Sequence, residues 1–267
     1  MGEPDVGAAV YRDTALEAAR AGGAVLMEWF DRKSVREKRP KDLVTEADFA
    51  SQEAIRGRLL AAFPDHGFLG EEGQAKDSLS GFRWIVDPLD GTVNYVHRLP
   101  GFAVSIALEF AGKMLLGVVY DPLAQECFTA EAGGGAYLNG KPIQPSACEA
   151  LRDALVAASF SANVARNSVE IARFLEVLEA SQSIRRLGSA ALNLCYVAMG
   201  RLDAYWTTSV QSWDIAAGAL ILAEAGGIVT GLDGGQLDWL QPEMVAAGRD
   251  SVHRQLVATL QKAAASG

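Results

Sequence analysis

Between Phe102 and Ile143 the chain passes through four β-rich segments, "FAVSIALEF", "KMLLGVVYD", "QECFTAEA" and "GAYLNGKPI", with only short turns between them. Connections that short return each strand beside its predecessor in the opposite direction, which confines the stretch to an antiparallel meander. Asn139-Gly140 marks one of its turns, because both residues tolerate the positive φ of a tight hairpin. Two helical patterns come first. Val10, Leu16, Ala19, Met27 and Phe30 recur at roughly helical spacing and predict an amphipathic helix over 8–30. In "DLVTEADFASQEAIRGRLLAAFP", Thr45 suits a helix N-cap with Asp48 as its acidic partner, and the helix runs to Phe63 and stops at Pro64. Helices followed by an antiparallel sheet describe an α+β first half.

Shorter features complete that half. "DRKSVREKRPKD" holds six basic residues among three acids and reads as a solvated loop, or as a flap whose charge draws in an anionic substrate. "HGFLGEEG" predicts a short strand ending on Glu71 and Glu72. "FRWIVD" predicts another, halted by Pro88, which lacks the N–H that a strand ladder needs. After the connection "KPIQPSACEA" the rhythm changes. "DALVAASF", a helix near 166–180, "SIRRLG", a helix over 189–199, "LDAYWT", a helix over 214–225 and "GGIVTG" alternate strand with helix. Alternation argues for a second, α/β domain on a mixed sheet, giving expected domains of 1–147 and 148–267.

The 267 residues carry a formal net charge of -9, a balance that repels nucleic acid and anionic membrane surfaces. Cys127, Cys148 and Cys195 are odd in number and share no metal-type spacing, so they read as reduced thiols. The acidic N-terminus lacks the basic start of a secretory signal, and Val6 stands where a myristoylation match wants Ser or Thr. The apolar run "IAAGALILA" is far shorter than the ~20 residues that cross a bilayer. A cytoplasmic protein is expected.

Acidic residues end or open several apolar elements: Glu71, the pair Asp87 and Asp90 in "WIVDPLDGTVN", and Asp214 in "SWDIAAGALILAEAGG". Each has a plain alternative. Asp214 can serve as a helix cap, and "DPLDGT" can be a turn that favours Pro and Asp. Together they form the oxygen donor set that hard cations such as Mg²⁺ prefer. His66, His97 and His253 form no metal-binding pair, and His97 reads as a structural residue in preference to a general base. The chain has no Gly-Lys-Ser/Thr phosphate loop and no nucleophilic elbow. Acids without a protein nucleophile point to metal-activated water attacking phosphorus.

The segments "WIVDPLDGTVNYVHRLPGFAVSIAL" and "WDIAAGALILAEAGG" resemble the two signature segments of the inositol monophosphatase family, and "DLVTEAD", "LGEEG" and "GSAALNLCYVAMGRLDAYW" match it in the same order. The resemblance implies an αβαβα sugar-phosphatase sandwich, a homodimer and a Mg²⁺-dependent, lithium-sensitive phosphatase with two or three ions per site. It places Glu71, Asp87, the Leu89 carbonyl, Asp90 and Asp214 on the metals, with Asp90 bridging towards Asp214 between the domains. It implies that Glu71, Thr92 and Asp48 orient the attacking water. The substrate side would be formed by Asp90, Gly91, Thr92, Gly188, Ser189, Ala190, Thr207 and Asp214. Without the resemblance, "GSAA" at a helix start reads as close packing.

One position departs from the family pattern. Thr207 stands where inositol-selective members carry a ring-binding Glu, and Ser209 stands where Gly is usual. The resemblance therefore implies phosphatase chemistry and leaves the substrate open: inositol 1-phosphate first, with fructose 1,6-bisphosphate, histidinol phosphate and phosphoadenosine phosphate as alternatives. A non-catalytic protein that keeps the fold and binds a macromolecular partner is the rival reading.

Overall fold

The computed structural model describes residues 8–32, 35–39, 42–161, 163–239 and 242–265. In chain order the elements are α1 (Ala8–Trp29), β1 (Val35–Arg39), β2 (Asp42–Thr45), α2 (Glu46–Ala62), β3 (Gly67–Gly70), β4 (Phe82–Asp90), α3 (Thr92–Val96), β5 (Ala103–Phe110), β6 (Lys113–Asp121), β7 (Glu126–Glu131), β8 (Gly135–Leu138) and β9 (Lys141–Pro142). After a 3-10 turn come β10 (Leu155–Ser159), α4 (Val169–Ala180), β11 (Ser183–Arg185), α5 (Ala190–Ala198), β12 (Ala204–Thr207), α6 (Ser212–Glu224), β13 (Ile228–Gly231), β14 (Met244–Ala247) and α7 (Asp250–Ala265).

The expected meander forms β5 to β9, and β3 and β4 extend it into a seven-stranded sheet in sequence order. Its one parallel pair is β3 with β4. Asn139 and Gly140 both take positive φ at the turn into β9, as their types foretell. The second sheet runs β11-β10-β12-β14-β13 and is mixed, with β10 parallel to both of its neighbours and β14 antiparallel to both of its own.

Side-chain alternation decides the layering. On β4 and β5, Trp84, Val86, Val104, Ile106 and Leu108 face one way into a core shared with α1 and α2. Ile85, Ala103 and Ala107 face the other way, towards α5 and α6. On β12 and β14, Tyr205, Met244 and Ala246 join that same central core, while Trp206, Val245 and Ala247 pack with α4 and α7. The result is the expected αβαβα sandwich, with α5 and α6 as the middle layer. Small residues set how closely α6 approaches the first sheet. A Cβ on Gly117 of β6 would sit 2.7 Å from the carbonyl oxygen of Ala217, so only glycine fits. At its far end, Glu224 accepts backbone N–H bonds from Gly133 (2.8 Å) and Gly135 (2.9 Å) in the turn between β7 and β8.

Two expectations need correction. The basic segment contains two paired antiparallel strands, β1 and β2, where an irregular loop is expected; apart from Arg32, which pairs with Glu28, its basic side chains lie outside the described residues, as does the N-terminal stretch 1–7. And β4 does not stop before Pro88. It continues to Asp90 through a bulge, pairing Asp87 with Ser105 and Asp90 with Ala103. The extra residue takes Pro88 out of the ladder, so its missing N–H leaves no broken bond.

Candidate active site

The bulge turns the end of β4 into a platform, and α2 supports it from below. The face of α2 that is apolar at Ala47, Ile55 and Leu59 becomes polar at Asp48, Ser51 and Gln52, all buried. Ser51 Oγ donates to the Pro88 carbonyl at 3.0 Å. Gln52 Oε1 accepts from the Glu72 N–H at 3.1 Å, and Gln52 Nε2 donates to the Gly73 carbonyl at 3.3 Å. The Glu71 N–H reaches the Val86 carbonyl at 3.2 Å, which brings the turn after β3 beside β4.

The capping box forms as its sequence predicts. Asp48 Oδ2 accepts from the Thr45 N–H at 2.8 Å and from Thr45 Oγ1 at 2.5 Å. Its other oxygen faces Thr92 Oγ1 at 3.4 Å, and that hydroxyl also lies 3.1 Å from the Leu89 carbonyl. Asp48 is thus cap and site neighbour at once.

Carboxylate oxygens of Glu71, Asp87 and Asp214 lie within 4.8 Å of one another. Asp87 receives one N–H bond, from Leu89 at 2.9 Å, and Asp214 receives one from Gln211 at 2.7 Å. Burial pushes the Asp87 carboxyl well above the usual range, and Glu71, Asp90 and Asp214 push it further. Asp214 rises for the same reasons, burial first and then the charge of Asp90. Asp48 is raised to about 7, chiefly by burial and against the hydrogen bonds from Thr45. Three hard oxygen ligands, with a backbone carbonyl beside them and no nitrogen or sulfur, suit a hard divalent cation, whose charge would reverse this repulsion.

Asp90 is held differently. Its oxygens accept from Ser189 Oγ and from the N–H groups of Ala190 (3.2 Å) and Ala191 (2.8 Å) at the start of α5. Burial raises its pKa to about 6, with those donors opposing the rise. The carboxylate foreseen as a bridge to Asp214 is thus tied to α5, and Asp214 sits with Glu71 and Asp87.

Glu71, Asp87, Asp90 and Asp214 line a cleft of about 630 Å³ together with Leu89, Gly91, Thr92, Gly188 and Ala190, while Asp48 lies outside its lining. Gly91 has φ +92, and a Cβ there would lie 2.8 Å from the Gly101 carbonyl, so the turn into α3 requires glycine. Ser189 is buried behind the cleft wall as the N-cap of α5. Thr207 is fully buried and does not line the cleft; its hydroxyl lies 3.4 Å from the Ser209 N–H. His97 is exposed outside the cleft, His66 is stacked between Phe63 and Phe82, and His253 meets Thr230. All three cysteines are free.

The sequence reading misses Asn94, Ser159, Phe160, Arg186, Ser209 and Val210 as parts of the cleft wall, although it singles out Ser209 as unusual. Asn94 joins the two walls: its side-chain amide donates to the carbonyls of Gly101 (2.8 Å) and Leu187 (2.7 Å). The polar triplet on the buried face of α2 is the signal that could have found Ser51 and Gln52.

Known proteins share this sequence pattern and fold. The pattern of the inositol monophosphatase family matches residues 9–265. The Nus factor SuhB of Pseudomonas aeruginosa is 39% identical, over 92% of this chain and 94% of that one. Inositol monophosphatase 2 of Solanum lycopersicum is 44% identical, over 89% of this chain and 92% of its own. The crystal structure of the extragenic suppressor protein suhB from Bartonella henselae superposes with a TM-score of 0.90 at 39% identity, covering 96% of this chain and 99% of that one. The match spans the sandwich and the acidic cluster alike, and the family is metal-dependent. The chain therefore belongs to the inositol monophosphatase family and is a phosphoric monoester hydrolase.

Proposed function

We propose that the chain hydrolyses inositol 1-phosphate or a similar small polyol or sugar phosphate, with Mg²⁺ as its cation. The observation that carries this reading is the cluster of Glu71, Asp87 and Asp214, three carboxylates whose oxygens lie within 4.8 Å of one another. Glu71, Asp87, the Leu89 carbonyl, Asp90 and Asp214 would hold two or three ions. The cation, when bound, would lower the pKa of the attacking water and stabilise charge on the leaving oxygen. Thr92, Asp48 and Glu71 orient that water. Asp90, Gly91, Thr92, Gly188, Ala190 and Asp214 face the substrate, and Ser189 acts through Asp90. Water attacks phosphorus, the ester P–O bond breaks, and alcohol and inorganic phosphate leave.

In this reading the chain divides near residue 147 into two domains that meet at the cleft, works as a cytoplasmic homodimer, and is inhibited by Li⁺. Among the described residues no helix is long and apolar enough to cross a membrane. Thr207, buried and short, offers a ring no carboxylate, so discrimination between inositol 1-phosphate and glycerol 2-phosphate is modest. The deciding experiment is phosphate release from a panel of monoesters. Turnover should vanish in excess EDTA and return with Mg²⁺; undiminished hydrolysis in EDTA would overturn the metal chemistry. The relative named a Nus factor favours a second reading, in which the same fold serves a macromolecular partner. Absence of turnover on every ester with Mg²⁺ present would favour it.

A further inference from the structure

Four neutral polar side chains line the cleft, and three of them are hydroxyls: Thr92, Ser159 and Ser209. A hydroxyl turns to donate or to accept as its neighbour requires. The fourth, Asn94, has no such freedom. Its Nδ2 donates to the Gly101 carbonyl at 2.8 Å and to the Leu187 carbonyl at 2.7 Å. Both partners are acceptors, so exchanging the ends of the amide would set oxygen against oxygen twice; the network itself fixes which end is nitrogen. The amide also packs on the bare backbone of Gly188, where a Cβ would come within 2.7 Å of Nδ2 and 2.8 Å of Oδ1. The Gly101 carbonyl that anchors it lies in turn close against Gly91, at 2.8 Å from where a Cβ would stand. The side chain is thus held beside the turn of Gly91 and Thr92.

Oδ1 is left over. Among the described residues no N–H or O–H donates to it, and it is not one of the buried polar atoms that lack a partner, so it is open to solvent on a residue that lines the cleft. With both amide hydrogens spent, this oxygen can only accept. It repels a phosphate oxygen and suits an O–H. We propose that Asn94 Oδ1 reads hydroxyls: it accepts a hydrogen bond from the alcohol part of the ester and makes the enzyme prefer hydroxyl-bearing esters to plain alkyl esters of the same carbon skeleton. This deepens the phosphatase reading of the same cleft and rests on it. A single fixed acceptor registers a donor and not the outline of a ring, which agrees with modest discrimination between inositol 1-phosphate and glycerol 2-phosphate.

The test measures kcat/KM for inositol 1-phosphate and for cyclohexyl phosphate, the same ring without hydroxyls, with Mg²⁺, on wild type, Asn94→Ala and Asn94→Asp. The quantity read is the ratio of the two values. Because both are measured on one preparation, any loss of folded protein cancels. Wild type should favour inositol 1-phosphate, and Asn94→Ala should lower the ratio about three- to tenfold, the scale of one neutral hydrogen bond, on top of any loss common to both esters. Asn94→Asp removes the two donors and keeps an acceptor; it should lose activity on both esters while its ratio stays nearer that of the wild type. Glycerol 2-phosphate against isopropyl phosphate should repeat the pattern. Equal losses on both esters in Asn94→Ala would reduce Asn94 to a strut between the cleft walls and overturn the proposal. A wild type indifferent to the hydroxyls in both pairs would overturn it without any variant, and both results leave the phosphatase reading intact. No turnover of any of these esters by the wild type would instead overturn that reading.

Discussion

Asp87 and Asp90 stand three residues apart on one strand and live in opposite surroundings. Asp90 is wrapped by a hydroxyl and two N–H groups from α5, while Asp87 has one N–H and a crowd of carboxylates. Asp90 is thus hydrogen-bonded by the protein itself, and those bonds tie the second half of the chain to the first, although burial still raises its pKa. Asp87, like Asp214, carries a charge that the fold leaves uncompensated, the condition a cation relieves. Both line the same cleft, but only Asp90 has donors of the fold gathered round it.

Removing charge should separate the two. Asp87→Asn and Asp214→Asn should each lower kcat by roughly a hundredfold or more at saturating Mg²⁺, the scale of lost transition-state charge stabilisation. Near-native kcat in either variant would remove that residue from the ligand set. Stability should tell Asp87 from Asp90. Asp90→Asn turns an amide towards N–H donors and should cost about 1–3 kcal/mol in urea denaturation. Asp87→Asn in EDTA should be as stable as wild type or more so. Equal losses in both variants would erase the distinction.

Protons should act as a weaker substitute for the cation. Asp48 and Asp90 are raised to about 7 and about 6 from 3.8, so the folded state keeps protons that the unfolded chain releases over that range. The contribution is fully present below the unfolded pKa and lost as pH rises through 6 to 7. In EDTA the urea midpoint should therefore be higher at pH 5.5 than at pH 8, and Mg²⁺ should shrink the gap. A midpoint that rises with pH in EDTA would contradict the assigned surroundings of these acids. The smallest effect is expected at Thr207, which lies off the cleft. Thr207→Val should change the ratio of kcat/KM for inositol 1-phosphate over glycerol 2-phosphate less than twofold, and a large change would place its hydroxyl in substrate recognition.

What could be read in advance follows the range of the interactions. The Thr45–Asp48 box and the Asn139-Gly140 turn are local, and both form where residue type places them. The run of β4 through Pro88 was not legible, because a bulge depends on the partner strand. The paired strands β1 and β2 lay hidden under a charge pattern that says nothing of backbone pairing. The reading also ends short of β14 and α7, though Val252, Leu256, Leu260 and Ala263 recur at helical spacing and are buried. In the site, residue chemistry pointed to the acids. The hold of α5 on Asp90 and the place of Arg186 on Phe160 arise from segments distant in sequence, and only the fold brings them together.

Helix α6 works as a calliper. Asp214 near one end reaches the acidic cluster, Glu224 at the other grips the turn between β7 and β8, and Gly117 sets the distance at which its middle lies on the first sheet. Its two jaws are separated by about 15 Å of helix, at about 1.5 Å per residue. The position of the second half's carboxylate is therefore measured off the meander, and drift elsewhere in the second sheet does not carry Asp214 with it. One residue removed between the jaws would rotate them by about 100° relative to each other. The grip or the carboxylate could then stay in register, but not both.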